Sequence, residues 1–157
     1  MNAAHGHESP HRRSHYVGLA WMAVLSFVAM YVLMYAMVDT VNNVYSNLNQ
    51  FYMAGLMAMA MVIIELVVMR SMYSSRRLNI AVLGGCLVAA AAFWFGIREQ
   101  GGITERQFLK SMIPHHAGAI LMCEQTEMTD PEAVELCRGI IASQRSEIEQ
   151  MKSMLGG

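Results

Sequence analysis

Charge is what this sequence lacks most. Asp, Glu, Lys and Arg make up 15% of the 157 residues, against about 25% in an average soluble domain. The deficit is uneven: between Tyr16 and Ile97 the only such residues are Asp39, Glu65, Arg70, Arg76 and Arg77. The net charge of −1 and the missing basic stripe exclude a nucleic-acid partner. No nucleophile–base–acid set, phosphate loop or carboxylate-rich Glu-x-x-His pattern of a di-iron bundle is present, so the chain is not expected to be an enzyme. What the chain has in excess is methionine, at 16 residues. Thioethers fill irregular cores and also bind soft metals, so position must decide between the two.

Three apolar runs are long enough to cross a hydrocarbon core, which takes about 20 helical residues. They span residues 16–38, 51–69 and 78–97. The first is too long for the apolar stretch of a signal peptide and is followed by no convincing cleavage site, so it reads as a retained anchor. Arg12 and Arg13 precede the first run, and Arg70, Arg76 and Arg77 separate the second from the third; the connection Asp39–Gln50 has no Lys or Arg. The positive-inside rule then puts residues 1–15, a tail carrying His5, His7, His11 and His15, in the cytoplasm. Three crossings deliver the chain beyond the linker 98–103 to the far side, the periplasm for a bacterial inner membrane. Ala81, Gly85 and Ala89 form a small-residue stripe suited to close helix packing. Glu65, about one turn from the cytoplasmic end, is expected to snorkel or to pair with Arg70. Cys86 reads as a small buried apolar residue. Met30, Met34 and Met37, and Met53, Met57 and Met61, recur at helical spacing. They read first as packing or lipid-facing positions, and second as a thioether path for Cu(I).

Residues 104–157 have the pattern of a soluble helical hairpin. Thr104 and Gln107 form a capping box that starts a helix running to about Met128. Thr129-Asp130-Pro131-Glu132 starts a second helix, which ends at Gly156-Gly157. Val134, Cys137, Ile141, Gln144, Ile148, Met151 and Leu155 step by three and four along that second helix. Antiparallel pairing about the short turn sets Cys123 opposite Cys137, Ile120 opposite Ile141, His116 opposite Gln144 and Leu109 opposite Met151. In an oxidising compartment the two cysteines are expected to form a disulfide, with metal thiolates or free thiols as the alternatives. The chain is therefore expected to be an all-α membrane protein: three transmembrane helices, then an antiparallel hairpin outside the bilayer.

Met112, His115 and Met122 share one face of the first hairpin helix, with His116 adjacent on the seam and Pro114 predicted to kink the helix beside them. Two imidazoles and two thioethers in three turns suit copper better than zinc or magnesium. Gln144 and Met151 are placed to complete or orient such a site. The alternative is a buried His116–Gln144 hydrogen bond with methionines that only pack.

Phe108-Leu109, Met-Ile-Pro-His-His at 112–116, Gly118-Ala119-Ile120, Met122, Ile140-Ile141, Ser143-Gln144, Glu147-Ile148 and Met151 resemble the bacterial domain of unknown function 305 over residues 104–155. That resemblance implies an exported, ferritin-like helical bundle associated with copper. Carried over by position, it implicates Met112, His115, His116, Met122, Gln144, Glu147 and Met151 as metal-site residues. The chain has one helix pair where longer members have two, so it is a half bundle. Because a lone pair of helices buries little apolar surface, a homo-oligomer is expected to complete the bundle, with the Met112/His115 stripe near the interface. The implied function is a membrane-anchored periplasmic protein that binds Cu(I), for sequestration or for delivery to a periplasmic copper protein. A metal-free structural module and a subunit of a copper transport assembly are the alternatives.

Overall fold

A computed structural model describes residues 10–156 of the chain. His5 and His7 lie outside them, and the His11 side chain is likewise not described. Five α-helices follow in order: α1 (Pro10–Leu33), α2 (Leu48–Val68), α3 (Arg76–Arg98), α4 (Glu105–Gln125) and α5 (Pro131–Gly156), with 3-10 turns at Met34–Met37 and Val41–Asn43. The first helix takes in the last residues of the expected tail. Among the described residues there is no strand, and the fold is all-α.

Three segments, Ser14–Met37, Leu48–Val68 and Arg76–Arg98, are long and apolar enough to cross a membrane. The second is central and packs on both others. Small residues permit this: Ala54 and Ala58 are fully buried, and a Cβ on Gly55 would stand 2.6 Å from the Phe93 ring of α3. One end is tied by Tyr16, whose hydroxyl donates to Asn79 Oδ1 at 2.7 Å and whose ring lies 5.3 Å from that of Tyr73. Glu65 accepts a hydrogen bond from the Tyr73 hydroxyl at 3.2 Å, a partner the sequence did not suggest. Cys86 is buried beside Leu19, Val62 and Leu66. Of the Ala81/Gly85/Ala89 stripe, Ala81 is exposed and Gly85 has open space where a Cβ would lie, whereas Ala89 is half-buried.

The hairpin folds back onto the α1–α2 connection at the opposite end of the three-helix unit. Thr104 caps α4, its Oγ1 accepting from Gln107 N–H at 3.3 Å. The reciprocal half of the expected capping box does not form. Gln107 Oε1 instead reaches across to accept the Leu48 N–H at 3.1 Å, in the first turn of α2 beside the Asn47 cap. Asn49 Nδ2 donates to Ser111 Oγ at 3.3 Å, a second tie between α2 and α4. A shared core forms beneath: Ile113, Ala117 and Ile120 are fully buried, Ile148 and Met151 nearly so, and Val38 and Tyr45 of the α1–α2 connection pack against them. The expectation of a partner chain rested on a hairpin with nothing to cover it. Part of that cover comes from the chain's own connection.

The second hairpin helix starts one residue later than its Thr129 cap implied. Asp130 Oδ1 accepts the Glu132 N–H at 2.8 Å, and its carbonyl accepts the Val134 N–H at 3.0 Å. Proline at the first helical position makes the residue just before it the cap. α4 runs unbroken through Pro114 but stops at Gln125, three residues short of Met128.

Candidate metal site on the hairpin

The disulfide Cys123–Cys137 joins the two hairpin helices near their turn, at a Cα separation of 5.4 Å. It fixes the register of all that lies below it. Arg145 and Glu124 add a cross-helix ion pair at 2.6 Å, exposed enough to contribute little.

His116 is buried at 8% exposure and bonds through both ring nitrogens. Nδ1 lies 2.9 Å from the Met112 carbonyl oxygen, and Nε2 lies 2.7 Å from Glu147 Oε2. Ser143 Oγ donates to the other carboxylate oxygen, Oε1, at 2.6 Å. These bonds, the serine's first and the histidine's second, hold the Glu147 carboxyl below the usual carboxylate range. Glu147 therefore takes the place that antiparallel register assigned to Gln144. The reason is side-chain direction: helical side chains lean toward their own N-terminus. In an antiparallel pair His116 thus leans down α5 toward its C-terminus, and Glu147 leans up to meet it. Both ring nitrogens of His116 are therefore engaged by protein partners, at the Met112 carbonyl and the Glu147 carboxylate.

The remaining candidates divide by environment. Met151 is buried in the hairpin core and Met112 is packed against that core. Gln144 is half-buried. His115 is exposed, and Met122 is 53% exposed. Met112 and His115 are neighbours at i, i+3, whereas Met122 lies seven residues beyond His115, about 10.5 Å along the axis. Among the described residues no three His, Cys, Asp or Glu side chains gather into a metal cluster. The exposed donors on α4 are thus the His115 imidazole and the Met122 thioether, types that suit a soft, low-coordinate ion and not a hard one.

The sequence reading missed Gln107, Asn49 and Ser111 as the seam between hairpin and anchor, and missed Met37 beside Gly118. A Cβ on Gly118 would lie 3.4 Å from the Met37 carbonyl oxygen and 4.0 Å from Met37 Cβ. No local pattern announces such pairs; only the lack of a side chain at 118 hints at a close approach.

The model of the family described as Domain of unknown function (DUF305) matches residues 96–155. A protein called uncharacterized protein L153, from Acanthamoeba polyphaga mimivirus, is 31% identical over 137 residues. The chain belongs to the DUF305 family. The alignment with that viral relative spans 85% of this chain and 88% of the relative, more than the hairpin alone can supply, so the likeness extends into the apolar helices. No solved structure matches the chain. The likeness thus takes in both the DUF305 segment and apolar helices of this chain.

Proposed function

We propose that this DUF305 protein is a membrane-anchored copper-binding protein that holds Cu(I) on the outer face of its hairpin, for sequestration or for transfer to a periplasmic partner. The observation that carries the reading is the exposed pairing of hard scaffold and soft donors. His115 and Met122 stand on the open face of a helix locked by a disulfide and by the His116–Glu147 clip, with Met112 one turn from His115. Cu(I) bound there would meet imidazole and thioether donors, which select it over harder ions. His115 anchors the proposed site, with the Met112 and Met122 thioethers on either side of it along the helix; His116, Glu147 and Met151 hold the helix pair that presents them. No catalytic role is assigned.

The basic residues favour an orientation with Arg70, Arg76 and Arg77 in the cytoplasm and the hairpin in the periplasm. The exposed small residues Ala81 and Gly85 favour self-association in the bilayer. Metal analysis of the purified protein tests the reading: copper retained by the wild type and lost in His115→Ala, with helix content unchanged, supports it.

A second reading is a metal-free interaction module. It is favoured by the packing of Met112 and Met151 and by the full occupation of His116 by hydrogen bonds. A transport path along Met53, Met57 and Met61 has less support. These side chains are 43%, 37% and 36% exposed on the outside of the three-helix unit, so only a further chain could enclose them.

A further inference from the structure

The root of the hairpin, where α4 begins and α5 ends, forms a groove of about 660 Å³. Ile103, Phe108 and Leu109 line it from the linker and α4, and Met154 and Leu155 from the last turn of α5. Its size falls within the range of small-molecule sites, about 300–1,000 Å³. The apolar lining is left open: Phe108 is 49% exposed and Met154 59%. Large apolar side chains clustered and exposed in this way mark a surface that meets a partner.

Position and charge say which partner. Gln100, which also lines the groove, donates from Nε2 to Asn49 Oδ1 at 3.1 Å and accepts at Oε1 from Asn49 Nδ2 at 3.2 Å. The Tyr52 hydroxyl donates to the Gly101 carbonyl oxygen at 2.6 Å. These bonds hold the linker against the first turns of α2, level with the ends of two candidate spans, Leu48–Val68 and Arg76–Arg98. The groove thus opens where the apolar surface of the anchor gives way to the hairpin. Trp94 and Phe95 are exposed in the last two turns of α3, as side chains of an aromatic belt at a membrane surface would be. Glu105 and Arg106 line the same groove, one carboxylate and one guanidinium at adjacent positions. Together they complement a headgroup that carries an ammonium and a phosphate, the guanidinium fork being suited to phosphate oxygens.

We propose that this groove holds a zwitterionic phospholipid of the adjoining leaflet, its acyl chain against Phe108 and Met154 and its headgroup at Glu105 and Arg106. The inference rests on the membrane-anchored part of the reading above and is independent of copper. A lipid held there fixes the root of the hairpin at the bilayer surface and so restrains how the hairpin stands on the membrane.

The test uses the full chain in phosphatidylcholine nanodiscs with isotope-labelled methionine methyl groups, the Met154 resonance being assigned from Met154→Leu. Two relaxation agents are compared: a water-soluble gadolinium chelate, and phosphatidylcholine spin-labelled near the ester end of its chain. Met122, 53% exposed and about 21 Å along α4 from Phe108, is the reference for water. Met57, 37% exposed near the middle of the second candidate span, is the reference for the bilayer interior. The chelate should remove the Met122 signal and spare Met154 and Met57, whereas the labelled lipid should remove the Met154 signal and spare Met122. Glu105→Gln/Arg106→Gln should restore part of the Met154 signal in the presence of labelled lipid. Loss of the Met154 signal to the chelate, as for Met122, overturns the inference. A Met154 signal spared by both agents overturns it in favour of a second copy of the chain on the groove. Unchanged lipid broadening in Glu105→Gln/Arg106→Gln overturns the headgroup contact. Loss of the Met57 signal to the chelate overturns the membrane reading as well.

Discussion

His116 of α4 and Glu147 of α5 meet at 2.7 Å, imidazole against carboxylate, and Ser143 holds the second carboxylate oxygen. The contact joins the hairpin helices about two turns below their disulfide and leaves the neighbouring His115 free on the surface.

The carboxyl of Glu147 is held below its ordinary range, so its contribution has a defined sign with pH. The lowered value means the stabilisation is fully present above the unfolded carboxyl value, about 4.3, and is lost as pH falls through the folded one. Thermal unfolding of the hairpin from pH 7 to pH 3 should show this acid-dependent loss in wild type and a flatter profile in Glu147→Gln. Parallel profiles for the two proteins would show that the clip contributes nothing.

The Cys123–Cys137 bridge closes a loop with a sequence separation of 14. A loop of that size constrains the unfolded chain by about 3 kcal/mol. Cys123→Ser/Cys137→Ser should lower hairpin stability by about that amount, measured by chemical denaturation in detergent, with Cys86 left in both proteins. Native protein that alkylates at all three cysteines without prior reduction would contradict the bridge.

Gln107 accepts the Leu48 N–H at the start of α2, so it acts as a cap supplied from another helix. Replacement of a capping side chain by alanine costs about 0.5–2 kcal/mol. Gln107→Ala should loosen the docking of the hairpin, read as faster amide exchange at residues 47–50 and at Ile113 and Ala117, with α4 itself still helical. Unchanged exchange at these positions would mean that the apolar contacts of Val38 and Tyr45 suffice.

Gly55 faces the Phe93 ring so closely that a Cβ would stand 2.6 Å from it. Gly55→Leu should therefore separate α2 from α3 or displace the ring, a cost of about 1–3 kcal/mol or more. Thermal aggregation of the detergent-solubilised protein reports it; an unchanged midpoint would mean that α3 shifts without loss.

The three apolar helices and the hairpin were legible because each rests on a local signal. Apolar length marks the first three helices, capping residues and a 3–4 repeat mark α4 and α5, and two cysteines at matching distances from the turn mark the bridge. Register at single-residue level was not legible. His116 was paired with Gln144 by counting Cα positions, whereas the lean of both side chains selects Glu147, one turn further on. The capping box at Thr104 was half right for a related reason: Gln107 had a better use across the seam than on its own helix. Nothing local could show that seam. The connection Asp39–Gln50 read only as a loop without positive charge, yet it supplies Tyr45 to the hairpin core and the Asn47 cap beside Gln107. The soft-donor face was visible as residue types, but its separation from the buried His116 network needed the folded pair.

The central claim is that the soft donors of α4 bind Cu(I). An anaerobic titration of the purified protein against a competing chelator, beside Met112→Ala/His115→Ala/Met122→Ala, tests it most directly. This triple variant leaves the His116–Glu147 clip and the disulfide untouched. Tight binding at a defined stoichiometry in the wild type, lost in a variant with unchanged helix content, is the result the account predicts. Equal and weak binding in both proteins would contradict it and leave a hairpin joined to three apolar helices, with methionines that only pack.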